Sequence, residues 1–226
     1  LEQFKKRFAK QILVVTPELE NAYGALSGAA NVSRIAPVVA ELDRFSSLGL
    51  KNTHTLGYVG TFGDKDGIPT LLKAFEAARK QIPQLRLQLM GKPETDPGPL
   101  PEGASMTGSF LTEDLPTLLA QCDTLVVNRR DDAYSRHGFP IKLAEYTATG
   151  IPVLLCDFDF YHEFFSEQEV WYFKADDPTV LCGAILDRYA DEEIAGKKAA
   201  AALLKCQQHF SHTEAARELI EVVMKG

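Results

Sequence analysis

This chain of 226 residues is poor in several things, and each shortage removes a class of function. It has four cysteines, Cys122, Cys156, Cys182 and Cys206, too far apart to make a C-x-x-C pair. Three sit on apolar faces, so buried free thiols are expected rather than metal ligands or disulfides, in keeping with a reducing cytosol. Basic residues are not in excess: 24 Lys and Arg stand against 31 Asp and Glu, a net charge of −7. A general nucleic-acid binder needs a basic stripe that follows phosphates, so that class is excluded. No apolar run approaches the roughly 18–20 residues of a membrane span, and no signal peptide is visible. There is no G-x-S-x-G for a serine nucleophile. The five histidines, His54, His137, His162, His209 and His212, have no metal-ligand spacing, so no metal is expected. The chain does not begin with Met, and is expected to be an excised piece of a longer protein.

What is present is an ordinary globular composition, 45% apolar and 24% charged. It is organised around Thr124–Asp157, which runs TLVVN, RRDDAYSRHG, FPIKLAEYTATG, IPVLLCD. The outer pieces are short apolar runs typical of buried parallel strands. Between them the spacing predicts a helix, with Pro140 in its first turn and Gly150 just past its end. Strand, polar loop, helix and strand make one right-handed βαβ unit. The loop falls where open α/β sheets bind ligands. Arg129, Arg130, Arg136 and His137 lie in it, before a helix N-terminus with free N–H groups and a positive dipole end. That combination suits an anion, most simply phosphate. The opposing reading is that Asp131 and Asp132 cancel the arginines in one of several ordinary loops.

The remaining chain alternates strands and helices, which implies a doubly wound, mostly parallel sheet. Residues 1–10 place Leu1, Phe4 and Phe8 at helical spacing, either a basic amphipathic helix or a helix end packed on the next strand. Ile12–Val15 is a strand, Thr16 and Pro17 open a helix, and Asn31–Val39 is a strand interrupted by Pro37. Residues 46–54 look like a linker. Strands follow at Leu56–Val59, Leu85–Met90 and Glu169–Phe173, and Ser105–Phe110 contains a short strand and a turn. Helices are expected at Ile68–Gln81, Thr112–Gln121, Phe158–Phe165, Pro178–Tyr189, Asp191–His209 and Thr213–Met224, the last capped by Ser211. The first of these has its core face on Leu71, Leu72, Phe75 and Ala78.

GFPIKLAEYTATGIPVL, Gly138–Leu154, resembles the signature of retaining glycosyltransferases of the two-Rossmann-domain (GT-B) type, above all the large glycosyltransferase family four. The matching positions are Glu145, Ala148, Gly150, Pro152 and Val153, and the resemblance covers roughly residues 55–226. It implies three parts: a remnant of the N-terminal acceptor domain with its linker (1–50), a Rossmann-like nucleotide-sugar-binding domain (51–208), and a C-terminal helix packing back toward the N-terminal segment (209–226). It implies transfer of a sugar from a UDP-, GDP- or ADP-sugar to an acceptor hydroxyl, with retention and without a metal or other cofactor. The acceptor is a carbohydrate or lipid-linked molecule held through the missing domain, and the location is cytoplasmic or peripheral at the inner membrane face.

The same resemblance assigns roles. Glu145 accepts from the ribose hydroxyls. Gly138 and Phe139 present backbone N–H groups at the helix start, where the diphosphate is expected, and Leu143 is a further donor-binding candidate. Gly60, Thr61 and Lys65 belong to the first glycine turn. Gly91 and Lys92 form a donor loop, and Ser109 and Phe110 a backbone turn that reads the base. Arg129, Arg130, His137 and Lys142 are the candidates for the catalytic work of neutralising the leaving group. The sequence departs from the family at three places. Thr61 and Asp66 stand where an Arg and a Lys are usual, and His137 where a second Glu is usual. A glycosyltransferase-like module without catalysis is therefore an alternative, and a sugar-nucleotide epimerase a third. The aromatic run Phe158, Phe160, Tyr161, Phe164 and Phe165 is either a carbohydrate platform or a packed core.

Overall fold

The computed structural model describes residues 11–25, 31–35, 42–45, 48–49, 51–94 and 96–225. The expected helix over residues 1–10 and the Pro37 interruption lie outside the described residues. A first unit is β1 (Gln11–Val14), α1 (Pro17–Gly24) and β2 (Asn31–Arg34), with β1 and β2 paired in parallel as a two-stranded sheet. Thr16 caps α1 by accepting from the Leu19 N–H at 3.3 Å, and Pro17 follows in the first turn. The short helix α2 (Leu42–Phe45) comes before the main sheet.

That sheet has six parallel strands: β3 (Thr55–Val59), β4 (Arg86–Met90), β5 (Ala104–Met106), β6 (Thr124–Val127), β7 (Val153–Cys156) and β8 (Trp171–Phe173). Their spatial order is β5-β4-β3-β6-β7-β8. The chain builds outward from β3 in one direction, then returns and builds from β6 in the other. This is the doubly wound Rossmann order, with its switch point between β3 and β6. The helices are α3 (Ile68–Arg79), α4 (Leu115–Leu119), α5 (Ala133–His137), α6 (Ile141–Ala148), α7 (Pro178–Ala190), α8 (Glu192–His209) and α9 (His212–Lys225). α3 packs against α7, and α6 against α8 and α2. Right-handed crossovers running in opposite directions put α3 and α6 on opposite faces.

The central strands are apolar throughout because both faces are covered: Leu125, Val126, Val127, Leu154, Leu155 and Cys156 are all fully buried. On α3, Leu71, Phe75 and Ala78 enter the core, while Leu72 is half-buried. All four cysteines are buried and free. The aromatic run is packed core: Phe158, Phe160, Tyr161 and Phe165 are buried, and Phe139, Phe164 and Phe210 close the cluster, with the Phe139 and Phe164 rings edge to face at 5.6 Å. The first unit and α9 are tied to the rest by polar contacts. Arg34 pairs with Glu163 at 2.8 Å, Thr16 donates to the His137 carbonyl at 3.1 Å, and Gln11 donates to the Val222 carbonyl at 3.5 Å.

Three expectations need correcting. The segment expected as an open loop before α6 contains the helix α5, capped by the Asp132 side chain, which accepts from the Ser135 N–H at 2.7 Å. Pro140 caps α6 from outside, so that helix starts one residue later. The helix expected over Thr112–Gln121 is a 3-10 turn (Thr112–Asp114) followed by only five α-helical residues.

Candidate functional site

The switch point brings the turn after β3 against the segment after β6. Asn128, fully buried at the end of β6, donates to the carbonyls of Asp66 at 2.8 Å and Gly67 at 2.7 Å. The Arg130 N–H donates to the Lys65 carbonyl at 2.9 Å. On the other side the turn after β4 closes in. The Glu94 N–H donates to the Thr61 carbonyl at 2.6 Å, and Gly91 and Gly108 form an antiparallel bridge. Gly91 has φ 136°, and a Cβ there would stand 2.0 Å from the Gly60 carbonyl oxygen, so no side chain fits. Phe62 is buried in the left-handed region at φ 54°, a strained backbone held by these contacts.

The sequence-predicted residues divide sharply here. Arg129 is buried at 7% exposure, yet its Nε and Nη1 atoms have no hydrogen-bond partner among the described residues. Its charge is felt by Tyr58, Lys142, Cys156 and Tyr161, which places it between β3, β7 and α6. The ring of Tyr134, itself exposed, lies 5.9 Å from the Arg129 guanidinium and 5.7 Å from the Lys65 ammonium. Lys142 donates to the Tyr58 hydroxyl at 2.8 Å and stands 3.7 Å from Asp66 Oδ1. Burial chiefly pulls its ammonium down to about 8; Asp66 opposes this, and Arg129 and Lys65 add to it.

The other cations are committed elsewhere. Arg130 is exposed and faces Asp176 at 3.8 Å, and Arg136 pairs with Asp131 at 2.6 Å. His137 points its ring nitrogen at the Ala133 carbonyl. Leu143 is fully buried and its N–H is taken by the Pro140 carbonyl at 2.9 Å, so it offers a ligand nothing. The Phe139 side chain belongs to the aromatic cluster, leaving only its backbone for binding. Lys92 is exposed, and Ser109 is exposed beside half-buried Phe110.

Glu145 is half-buried on α6, with no hydrogen bond to its carboxylate among the described residues. Burial pushes its pKa up, against the lowering charges of Arg44 and Lys142. Its neighbour Tyr146 is buried and accepts from the Val59 N–H at 2.8 Å, which fixes α6 over the end of β3. Sequence reasoning missed Tyr58, Asn128 and Tyr134 as parts of the site. The Asn128 position was legible as the first polar residue after an apolar strand; the tyrosines carried no signal. Among the described residues, no three His, Cys, Asp or Glu side chains gather as a metal would need.

A 3-2-1-4-5-6 parallel sheet is the strand order of a Rossmann-like domain, and here its switch point carries buried cationic donors. A family model described as "Glycosyl transferases group 1" matches residues 53–191, more than half of the chain, and the chain belongs to that family. The fold is that of GT-B glycosyltransferases. Sucrose-phosphate synthase from Thermosynechococcus elongatus superposes with a TM-score of 0.78 at 22% identity, over 99% of this chain and 60% of that one. Anabaena Alr3699/HepE, solved with UDP and glucose, gives 0.81 at 16% identity, over 98% and 65%. The pneumococcal O-GlcNAc transferase GtfA, solved with UDP and GlcNAc, gives 0.76 at 15% identity, over 99% and 47%. The chain therefore spans between 47% and 65% of the length of these three proteins. No curated protein matches it.

Proposed function

We propose that this chain is the donor-binding part of a retaining glycosyltransferase, and that it binds a nucleoside-diphosphate sugar in the cleft between the β3 turn and α6. The observation that carries the reading is Arg129: a buried guanidinium whose Nε and Nη1 have no hydrogen-bond partner among the described residues, close enough for its charge to act on Lys142. A buried cation without a partner is costly, and an incoming anion removes the cost. The donor's diphosphate is that anion. Arg129, Lys142 and the Gly138 and Phe139 amides stabilise it as it leaves, with no metal called on. Glu145, with a carboxylate free to accept, holds the ribose hydroxyls, and the turn Thr107–Phe110 reads the base through its backbone.

The acceptor, a carbohydrate or lipid-linked molecule, is held by a domain outside this chain. The fragment by itself binds donor but transfers little sugar, and its expected setting is the cytoplasm or the inner membrane face. Titration calorimetry with UDP, GDP and ADP tests this directly. Binding of at least one, lost in Glu145→Ala and Arg129→Met, supports the reading, and robust sugar transfer by the fragment alone contradicts it.

A second reading is a binding module without catalysis. It is favoured by His137, whose ring is held by the Ala133 carbonyl. Nucleotide binding without transfer, even when the chain is joined to an acceptor domain, would favour that module.

A further inference from the structure

We propose that Tyr58 and Asp66 are positioning residues that keep the Lys142 ammonium charged and aimed at the diphosphate of the donor. This rests on the donor-site reading above and deepens it.

The geometry is specific. An ammonium has three N–H donors. One goes to the Tyr58 hydroxyl at 2.8 Å, and the ammonium also lies 4.1 Å from the centre of that ring. Tyr58 is fully buried inside β3, so its oxygen is a fixed anchor. Asp66 Oδ1 is 3.7 Å away, beyond hydrogen-bond length, so the carboxylate supplies charge without consuming a donor. Asp66 does not depend on Lys142 for its place: it is 2% exposed, and Oδ2 accepts from the Gly63 N–H at 3.1 Å. Gly60 leaves the approach clear, since a Cβ there would lie 3.3 Å from the Lys142 nitrogen. A ligand oxygen has a route to the remaining donor.

The groups facing Lys142 set its charge. They are Tyr58 on β3, Lys65 and Asp66 in the following turn, Arg129 after β6, Cys156 at the end of β7, and Glu145 on its own helix. Burial drives the proton off first, and Arg129 and Lys65 also favour its loss; Asp66 is the strongest influence that keeps it. With the ammonium pulled down to about 8, the free site is half charged at that pH. Tyr58 is held well above its usual value by burial, and the Cys156 thiol is pushed up to about 12, so neither titrates near 8. A terminal phosphate has its midpoint near pH 6 and is about nine-tenths titrated by pH 7. Diphosphate affinity should therefore fall as pH rises through about 8, by at most about tenfold per unit above it, and level off where Arg129 and the amides hold the anion alone.

The test is calorimetry with UDP, GDP and ADP at pH 7, followed by a series from pH 7 to 9.5 with the tightest binder. Asp66→Asn keeps an oxygen for the Gly63 N–H but removes the charge. Its alkaline fall should begin at lower pH than in the wild type. Lys142→Arg carries a cation that does not titrate in this range, so the binding that remains should no longer fall above pH 8. Tyr58→Phe should weaken binding already at pH 7. A purely structural role for Asp66 would lower affinity equally at every pH and leave the onset alone. The proposal is overturned if the wild type shows no alkaline fall, if Asp66→Asn begins to fall at the wild-type pH, or if the fall survives in Lys142→Arg. Should Asp66→Asn melt below the assay temperature, the Lys142→Arg series decides. Absence of binding by all three nucleotides at pH 7 overturns the donor-site reading itself, and this inference with it.

Discussion

The turn after β3 and the segment after β6 meet at the same cleft but spend their charges differently. In the first, Asp66 is buried and already occupied by a backbone amide, and Thr61 offers no charge. In the second, Arg129 is buried with donors left over, while its neighbours Arg130 and Arg136 face carboxylates at the surface. In the proposed reading the β3 turn is a wall, and the β6 segment with α6 is the grip. The family resemblance leads one to expect an Arg and a Lys in the first of these segments. In the proposed reading most of the positive charge comes from the second, from Arg129 and from Lys142 in the first turn of α6, with Lys65 the cation of the first.

The sharpest way to break that comparison is Arg129→Met. Nucleotide affinity should fall by a factor of roughly 30 to 1,000, since truncating one partner of a buried charge pair costs about 2–4 kcal/mol. The same substitution should raise the melting temperature, because it removes a buried cation that has no ion pair among the described residues. Calorimetry and thermal melts measure the two signs together. Unchanged binding would mean the grip lies elsewhere. Next comes Glu145→Ala, expected to weaken binding about tenfold through loss of charge-assisted bonds worth roughly 1.5 kcal/mol, with little change in stability because burial outweighs the help its charge gets from Arg44 and Lys142.

Asn128→Ala tests whether the wall is held by the strand opposite. It strands two carbonyls and should cost about 1–3 kcal/mol in denaturant unfolding, with nucleotide affinity falling as the β3 turn loosens. The smallest effect belongs to Arg136→Ala. Its exposed ion pair contributes no more than about 1 kcal/mol, and binding should stay within a factor of about two. A large loss there would erase the distinction between grip and surface.

Much of this architecture was visible in the sequence, and particular residues explain the rest. Apolar runs such as TLVV and VLLC are long enough to mark buried strands, and their alternation with helices determined the doubly wound sheet. α5 escaped because AYSRH has no apolar period; its one trace was an Asp three residues ahead of Ser135. Among four basic residues in a ten-residue stretch, sequence could not tell Arg129 from Arg130 or Arg136. Their fates depend on partners distant along the chain, such as Asp176, and on which way each points at the end of β6. Lys142 was ambiguous for the same reason. Nothing local announces that Tyr58, 84 positions earlier, receives its ammonium. Asp66 was legible only as a departure from a family pattern; its buried position gives it a use.

The central claim is that the leaving diphosphate is gripped from the β6 side. The most direct measurement is a crystal structure of the chain grown with whichever of UDP, GDP or ADP binds most tightly. The account predicts phosphate oxygens within hydrogen-bond reach of Arg129 Nε or Nη1 and of the Lys142 ammonium, with the ribose on Glu145. Phosphates held instead by Lys65 and Lys92, with Arg129 still without a partner, would contradict it.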